Sequence, residues 1–298
     1  MSLPYSTDNI VLVAVQAACV ALPAAGLPAW ALRLRTGAWA LIAPLSIALV
    51  VGGLAVLPQG ADVLTWVALI GVPLGAALAL GCAAHGARAP LALVAAVAFV
   101  LAWQTPDTRW GEAGGVLLVA ASCVTIGRLL AGVAPLDLLK AGIVAMAVID
   151  AVLVFGNQLQ GPNATLVAAM PGGGLPQLQS AGFGRAGMGY GDFFAAGVLG
   201  GIVAVEASRR RHQLLAAAAV FAASLLWDLM FTWYDTLPAT VPVAAVLLVM
   251  EAVRRLRPGR RGRTPAAAGV GPGGLAGERR GGFAGQAAGA DRAGGDAV

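Results

Sequence analysis

From about residue 9 to residue 254 the chain is a succession of apolar runs, many near or above the roughly 18–20 residues needed to cross a bilayer. Only short turns carrying Pro, Gly, Arg or Asp interrupt them. In lipid every backbone polar group must find its partner within the protein, and runs of this length without period-two alternation meet that demand as helices, not as barrel strands. Composition agrees: 59% of the 298 residues are hydrophobic and 11% charged, against about 25% charged in ordinary soluble domains, and mean hydropathy is +0.82. The expected fold is an all-α, polytopic transmembrane bundle of about nine spans, near 9–27, 37–57, 62–83, 89–105, 114–133, 138–157, 188–206, 213–233 and 237–254.

Charge sets the expected orientation. The formal charge is +5, but the basic residues fall at the ends of apolar runs and in the C-terminal tail, which marks them as orientation signals and argues against a nucleic-acid partner. Arg33, Arg35, Arg88, Arg128, Lys140, Arg209, Arg210, Arg211, Arg254 and Arg255 flank one set of span ends, expected to be cytoplasmic. The opposite loops carry Asp8, Asp62, Asp107, Glu112 beside Arg109, and Asp235. The N-terminus is therefore expected outside and the C-terminus inside, in the plasma membrane of a prokaryote, with the lipid bilayer as partner. No basic region and cleavage site precede the first span, which is expected to be retained.

Cys19, Cys82 and Cys123 sit singly in apolar segments, and His85 and His212 lie in short loops. That spacing suits buried apolar thiols and no zinc or iron–sulfur site; no metal or cofactor is expected. Three regions follow: 1–137 with about five spans, 138–256 with the remaining four, and a Gly-, Ala- and Arg-rich tail, 257–298, expected to be disordered and cytoplasmic. One connection is long, from Asn157 to Gly187, and within it Ala164 to Met170 suits a strand or a re-entrant segment.

An ionisable side chain inside a span costs at least about 2.5–3.5 kcal/mol on insertion scales and is by default a functional candidate. Asp150, Asp192 and Asp228 qualify. Asp150 lies about seven residues from the outer end of the sixth expected span, and Asp192 within a turn or so of the outer end of the seventh, so both occupy the same leaflet at similar depth. Asp228, among Trp227, Trp233 and Tyr234, suits a polar cluster near the interface. Gly187, Gly189 and Gly191 precede Asp192 and suit either close backbone approach or an unwound helix start. Two carboxylates within a few ångströms share a proton, and a water held between them can attack a peptide carbonyl. Placement alone equally allows a proton or cation path, or a structural polar pair.

Gly189-Tyr190-Gly191-Asp192 matches the Gly-x-Gly-Asp motif of intramembrane aspartyl proteases, a class that includes presenilin, signal peptide peptidase and the type IV prepilin peptidases. Locally the stretch resembles the prepilin peptidases, with Phe194 where they carry a lysine. As a whole the chain resembles the presenilin and signal peptide peptidase family: nine spans, an aspartate in the sixth, Gly-x-Gly-Asp in the seventh and Pro-Ala-Leu opening the ninth. Asp150, Asp192 and Leu237-Pro238-Ala239 fall in the matching order, with Ile149 where the family usually has tyrosine and Thr240 where leucine follows Pro-Ala. The resemblance, over roughly residues 138 to 254, implies an intramembrane aspartic endopeptidase with Asp150 and Asp192 as its dyad. It implies that Gly189, Tyr190, Gly191, Leu237, Pro238 and Ala239 shape the cleft, and that the substrate is a transmembrane segment or signal peptide. Thr165 to Pro171 resembles the family's apolar stretch where a substrate strand can pair. A transporter using the same aspartates and a non-catalytic homologue are the alternatives.

Overall fold

Breakers and caps in the sequence decide where the helices stop. In the computed structural model the described residues are 7–26, 33, 36–42, 45, 60–156, 158, 160–207, 209–234 and 236–256. Most of the expected span 37–57, Arg35, Asn157, Asp235 and the whole 257–298 tail lie outside them. The helices are α1 (Thr7–Ala21), α2 (Gly60–Leu78), α3 (Ala92–Gln104), α4 (Arg109–Val133), α5 (Leu136–Phe155), α6 (Gln160–Ala168), α7 (Tyr190–Glu206), α8 (Arg210–Asp228) and α9 (Thr240–Leu256). At the start of α4 the Thr108 hydroxyl accepts a hydrogen bond from the Gly111 amide, 3.2 Å away, satisfying one orphan donor of the first turn. Pro135, with φ −61°, separates α4 from α5.

Four helical stretches are long and apolar enough to cross a membrane: Gly60–Ala83, Arg109–Val133, Leu136–Phe155 and Arg210–Thr232. Thr7–Ala21 and Ala89–Gln104 are shorter apolar helices. On α2, Val63, Val67, Ile70, Leu74 and Leu78 repeat every three or four residues and are all more than half exposed. A stripe this apolar on the outside of a folded chain needs lipid against it. By length, composition and surface, the chain is a membrane protein.

The hub is α4. Of its most apolar stretch 72% is buried within the protein, against 33%, 33% and 28% for the other three long helices. It packs on α1, α2, α3 and above all α7. That last contact is backbone on backbone: a Cβ on Gly127 would lie 2.0 Å from the Gly197 carbonyl oxygen, one on Gly197 2.4 Å from that of Cys123, and one on Gly201 2.3 Å from that of Gly127. Gly200 meets α1 instead, where a Cβ would lie 2.5 Å from the Val20 carbonyl oxygen. Small residues four apart let membrane helices approach this closely.

The fold is mostly helical, and two findings adjust the expectations for the long connection. Residues 164–168 of the long connection are helical, the end of α6, and not a strand. The strands lie further on, β1 (Ser180–Phe183) and β2 (Ala186–Gly189), an antiparallel hairpin in which Ser180 faces Gly189 and Phe183 faces Ala186. Strand β2 runs directly into α7. Cys82 also departs from expectation: Cys19 and Cys123 are buried, whereas Cys82 is exposed.

Side-chain contacts sort the helix ends into two sets. At one, Arg109 of α4 pairs with Asp8 of α1 at 3.0 Å, Thr65 of α2 hydrogen-bonds Gln179 and the Ala169 carbonyl, and Phe155 of α5 meets Tyr234 edge-on at 5.4 Å. At the other, Arg128 of α4 donates to the carbonyls of Gly26 and Cys82, and Arg210 of α8 to that of Ala21. Also there, Lys140 of α5 reaches Glu206 of α7 at 2.5 Å and Glu251 of α9 at 2.8 Å. Lys140 is buried, and Arg254 bonds the same two glutamates, so a compact ionic knot ties the ends of α5, α7 and α9.

Candidate active site

Asp150 stands on α5, five residues before its last residue Phe155, and Asp192 is the third residue of α7. Helix α5 packs on α7, and both aspartates lie toward the same end of that helix pair, Asp150 near the end of α5 and Asp192 near the start of α7. Both side chains are partly buried. One carboxylate oxygen of Asp192 accepts the Gly189 amide at 3.1 Å, so the side chain closes the start of its own helix. Asp150 accepts the Thr240 hydroxyl at 2.6 Å, across 90 residues of sequence. The residue that departs from Pro-Ala-Leu is thus the one that grips the first aspartate.

Leu237 and Ala239 are half-buried and Pro238 buried, just before Thr240 opens α9. The Ala239 carbonyl accepts the Gln16 side-chain amide at 3.0 Å, and the same amide nitrogen lies 3.5 Å from the Asp192 carbonyl. Tyr190 engages Ser122 of α4, hydroxyl to hydroxyl at 3.0 Å, and its amide donates to the Gln179 carbonyl at 3.2 Å.

The motif glycines do not act through close approach, as one reading of the sequence expects. A Cβ on Gly187 or Gly191 would meet nothing within 4 Å, and one on Gly189 would meet only the carboxylate of Asp192 at 3.3 Å. Gly187 and Gly189 belong to β2, and Gly189 turns the chain from strand into helix with extended φ −68° and ψ 154°. The glycines that bring backbones together are the later ones, Gly197, Gly200 and Gly201.

Above the aspartates the hairpin is fastened to two helices. The Gly184 amide donates to Glu112 at 2.9 Å, the Arg185 amide to Asp8 at 3.1 Å, and the Arg109 guanidinium lies 4.9 Å over the Phe183 ring. The Arg185 amide, with help from Arg109, holds the Asp8 carboxyl below the ordinary carboxylate range. Gly184 is required here twice over: its φ is +60°, and a Cβ would lie 2.2 Å from both the Arg109 guanidinium and the Asp8 carboxylate.

The third acidic candidate stands apart. Asp228 ends α8, is buried, and accepts the Asn9 amide of α1 at 2.6 Å, a polar pair of the kind its neighbours suggested. Among the described residues no three of His, Cys, Asp and Glu converge as a metal ion requires. Sequence reasoning missed Gln16, Asn9 and Ser224; the available signal was an amide or hydroxyl inside an apolar run, which costs free energy unless partnered.

No protein-family profile, curated protein or solved structure matches this chain. The site is therefore read from its own chemistry.

Proposed function

We propose that the chain is an intramembrane aspartyl protease of the Gly-x-Gly-Asp type, with Asp150 and Asp192 as its dyad. One observation carries the reading: two aspartates stand on adjacent, packed apolar helices toward the same end, Asp150 held by Thr240 and Asp192 by the Gly189 amide, at the foot of a hairpin that leads into the second helix. Charged groups placed this way in lipid are costly, and a shared proton between them is what peptide hydrolysis by paired aspartates uses. A water bound between the carboxylates loses its proton to the ionised one as its oxygen attacks the scissile carbonyl. The protonated partner donates to the carbonyl oxygen, and collapse of the tetrahedral adduct then passes a proton to the departing amine. The substrate is a transmembrane segment or signal peptide unwound near the outer leaflet, because a peptide bond within an intact helix is shielded from attack.

The same reading takes the chain as a nine-span protein of a prokaryotic plasma membrane, N-terminus out and C-terminus in. The pattern of helix-end contacts supports it: α1 and α2 both start at the hairpin end, and every later long helix reverses the one before. The basic clusters fall at the opposite end.

The test is cleavage of a single-span substrate in proteoliposomes. Wild-type protein yields two peptides whose masses define a site near one leaflet, and a transition-state mimic of aspartyl proteases blocks the reaction. Asp150→Ala and Asp192→Ala, each folded, yield none. Cleavage persisting in either variant defeats the dyad, and proton-linked flux without peptide products would assign the aspartates to transport.

A further inference from the structure

We infer that Gln16, on α1, is the positioning residue that sets the dyad: its one side chain fixes the backbone of Asp192 relative to the segment that grips Asp150. This inference rests on the protease reading for its catalytic meaning, but its geometry stands alone. Gln16 is fully buried in a helix that is otherwise apolar around it. Its side-chain nitrogen donates to the Ala239 carbonyl at 3.0 Å and lies 3.5 Å from the Asp192 carbonyl, while its oxygen accepts the Ser224 hydroxyl of α8 at 3.1 Å. Ala239 immediately precedes Thr240, whose hydroxyl holds the Asp150 carboxylate at 2.6 Å.

A continuous path thus runs from the peptide of Asp192 through the Gln16 amide to Ala239, and through Thr240 to Asp150. Four helices, α1, α7, α8 and α9, meet at this one side chain. An amide buried in lipid surroundings keeps its partners because the alternative is an unsatisfied donor. Removing that donor leaves the Ala239 carbonyl without its side-chain partner and uncouples the segment that grips Asp150 from the start of α7. The glycines of α7 cannot do this work, because they fix α7 against α4 and α1, whereas Asp150 belongs to α5.

The experiment uses the full chain in nanodiscs, with exposed Cys82 replaced by alanine and spin labels on Gly187→Cys and Thr236→Cys. Both positions are exposed, one just before α7 and the other just before α9. A control pair, Arg211→Cys and Arg255→Cys, reports on the far end of the bundle, where both residues are exposed. Gln16→Met keeps length and removes both donors. The expected result is a distance distribution at least about twice as broad for the 187–236 pair, with the control pair unchanged. In the unlabelled enzyme kcat falls roughly ten- to a hundred-fold with KM retained, as a misplaced catalytic group demands. Gln16→Glu, which as the neutral acid keeps the length, an acceptor and one donor, recovers part of that loss.

An unchanged 187–236 distribution in Gln16→Met overturns the inference, and so does a kcat equal to wild type. If both pairs broaden, the variant has lost its fold and Ser224→Ala decides: broadening at the 187–236 pair alone supports the inference, no broadening overturns it. Broadening in a protein that cleaves nothing even as wild type keeps the positioning role and sinks the protease reading.

Discussion

At the scale of single residues, the contact that most constrains the chemistry is the Thr240 hydroxyl on Asp150. A hydrogen bond to a charged acceptor is worth about 1.5–3 kcal/mol, and Thr240 is buried, so water is poorly placed to replace it. Thr240→Val, of the same shape, is expected to slow cleavage roughly ten- to a hundred-fold if the bond persists in the transition state. Thr240→Ser keeps the hydroxyl and most of the rate. Equal rates for Val and Ser, from single-turnover cleavage in detergent, would show that the bond is not used. Asp150 and Asp192 stood out in the sequence as candidates because charge inside an apolar run is conspicuous. Thr240 was visible only as a departure from the family pattern, since a threonine at a helix start is ordinary. Gln16 carried no signal beyond its polarity, because its partners stand 176, 208 and 223 residues away.

At the scale of elements, the sequence stretch from Gly187 to Gly201 divides into two devices. Its first glycines make a strand and a helix start with open space around them; its last ones press α7 onto α4 and α1. Composition reveals the glycines, but which backbone each one meets is a property of packing, which local sequence does not encode. Gly127→Ala is therefore expected to cost about 3 kcal/mol or more, because its Cβ meets a carbonyl and not a flexible side chain. Gly191→Ala leaves stability close to wild type. Unfolding in mixed micelles followed by tryptophan emission compares them, and equal midpoints would refute the division. The hairpin turn supplies a second case. Asp8→Asn and Glu112→Gln each loosen the turn, and trypsin should cut after exposed Arg185 several times faster at neutral pH. Acid does not imitate Asp8→Asn in the physiological range. The Asp8 carboxyl is held below its ordinary value of 3.8, so its contribution is complete above that value and fades only as pH falls through the still lower folded value. Cutting rates unchanged by both substitutions would show that the turn is held by other contacts.

At the scale of the whole molecule, one end of the bundle carries the hairpin, Asp8, Arg109 and Glu112, and the other carries Arg128, Arg210 and the knot of Lys140 with Glu206, Glu251 and Arg254. The two aspartates lie toward the hairpin end. If the proposed protease activity holds, orientation in the membrane therefore decides in which leaflet a substrate is cut. Single cysteines at Arg185 and Arg211, both exposed and at opposite ends, measure it directly when Cys82 is removed. The positive-inside bias predicts that an impermeant maleimide labels position 185 in intact cells and position 211 only after permeabilisation. The reverse result would place the dyad near the cytoplasmic face, where prepilin-type peptidases work, and would reassign the substrate accordingly. Labelling of both positions from one side would break the alternation of helix ends on which the nine-span reading depends. Substrate mapping adds an independent check, because cleavage products from an outward-facing dyad carry the long fragment on the cytoplasmic side of the cut. Agreement between labelling and product masses would tie topology to chemistry through the same two carboxylates.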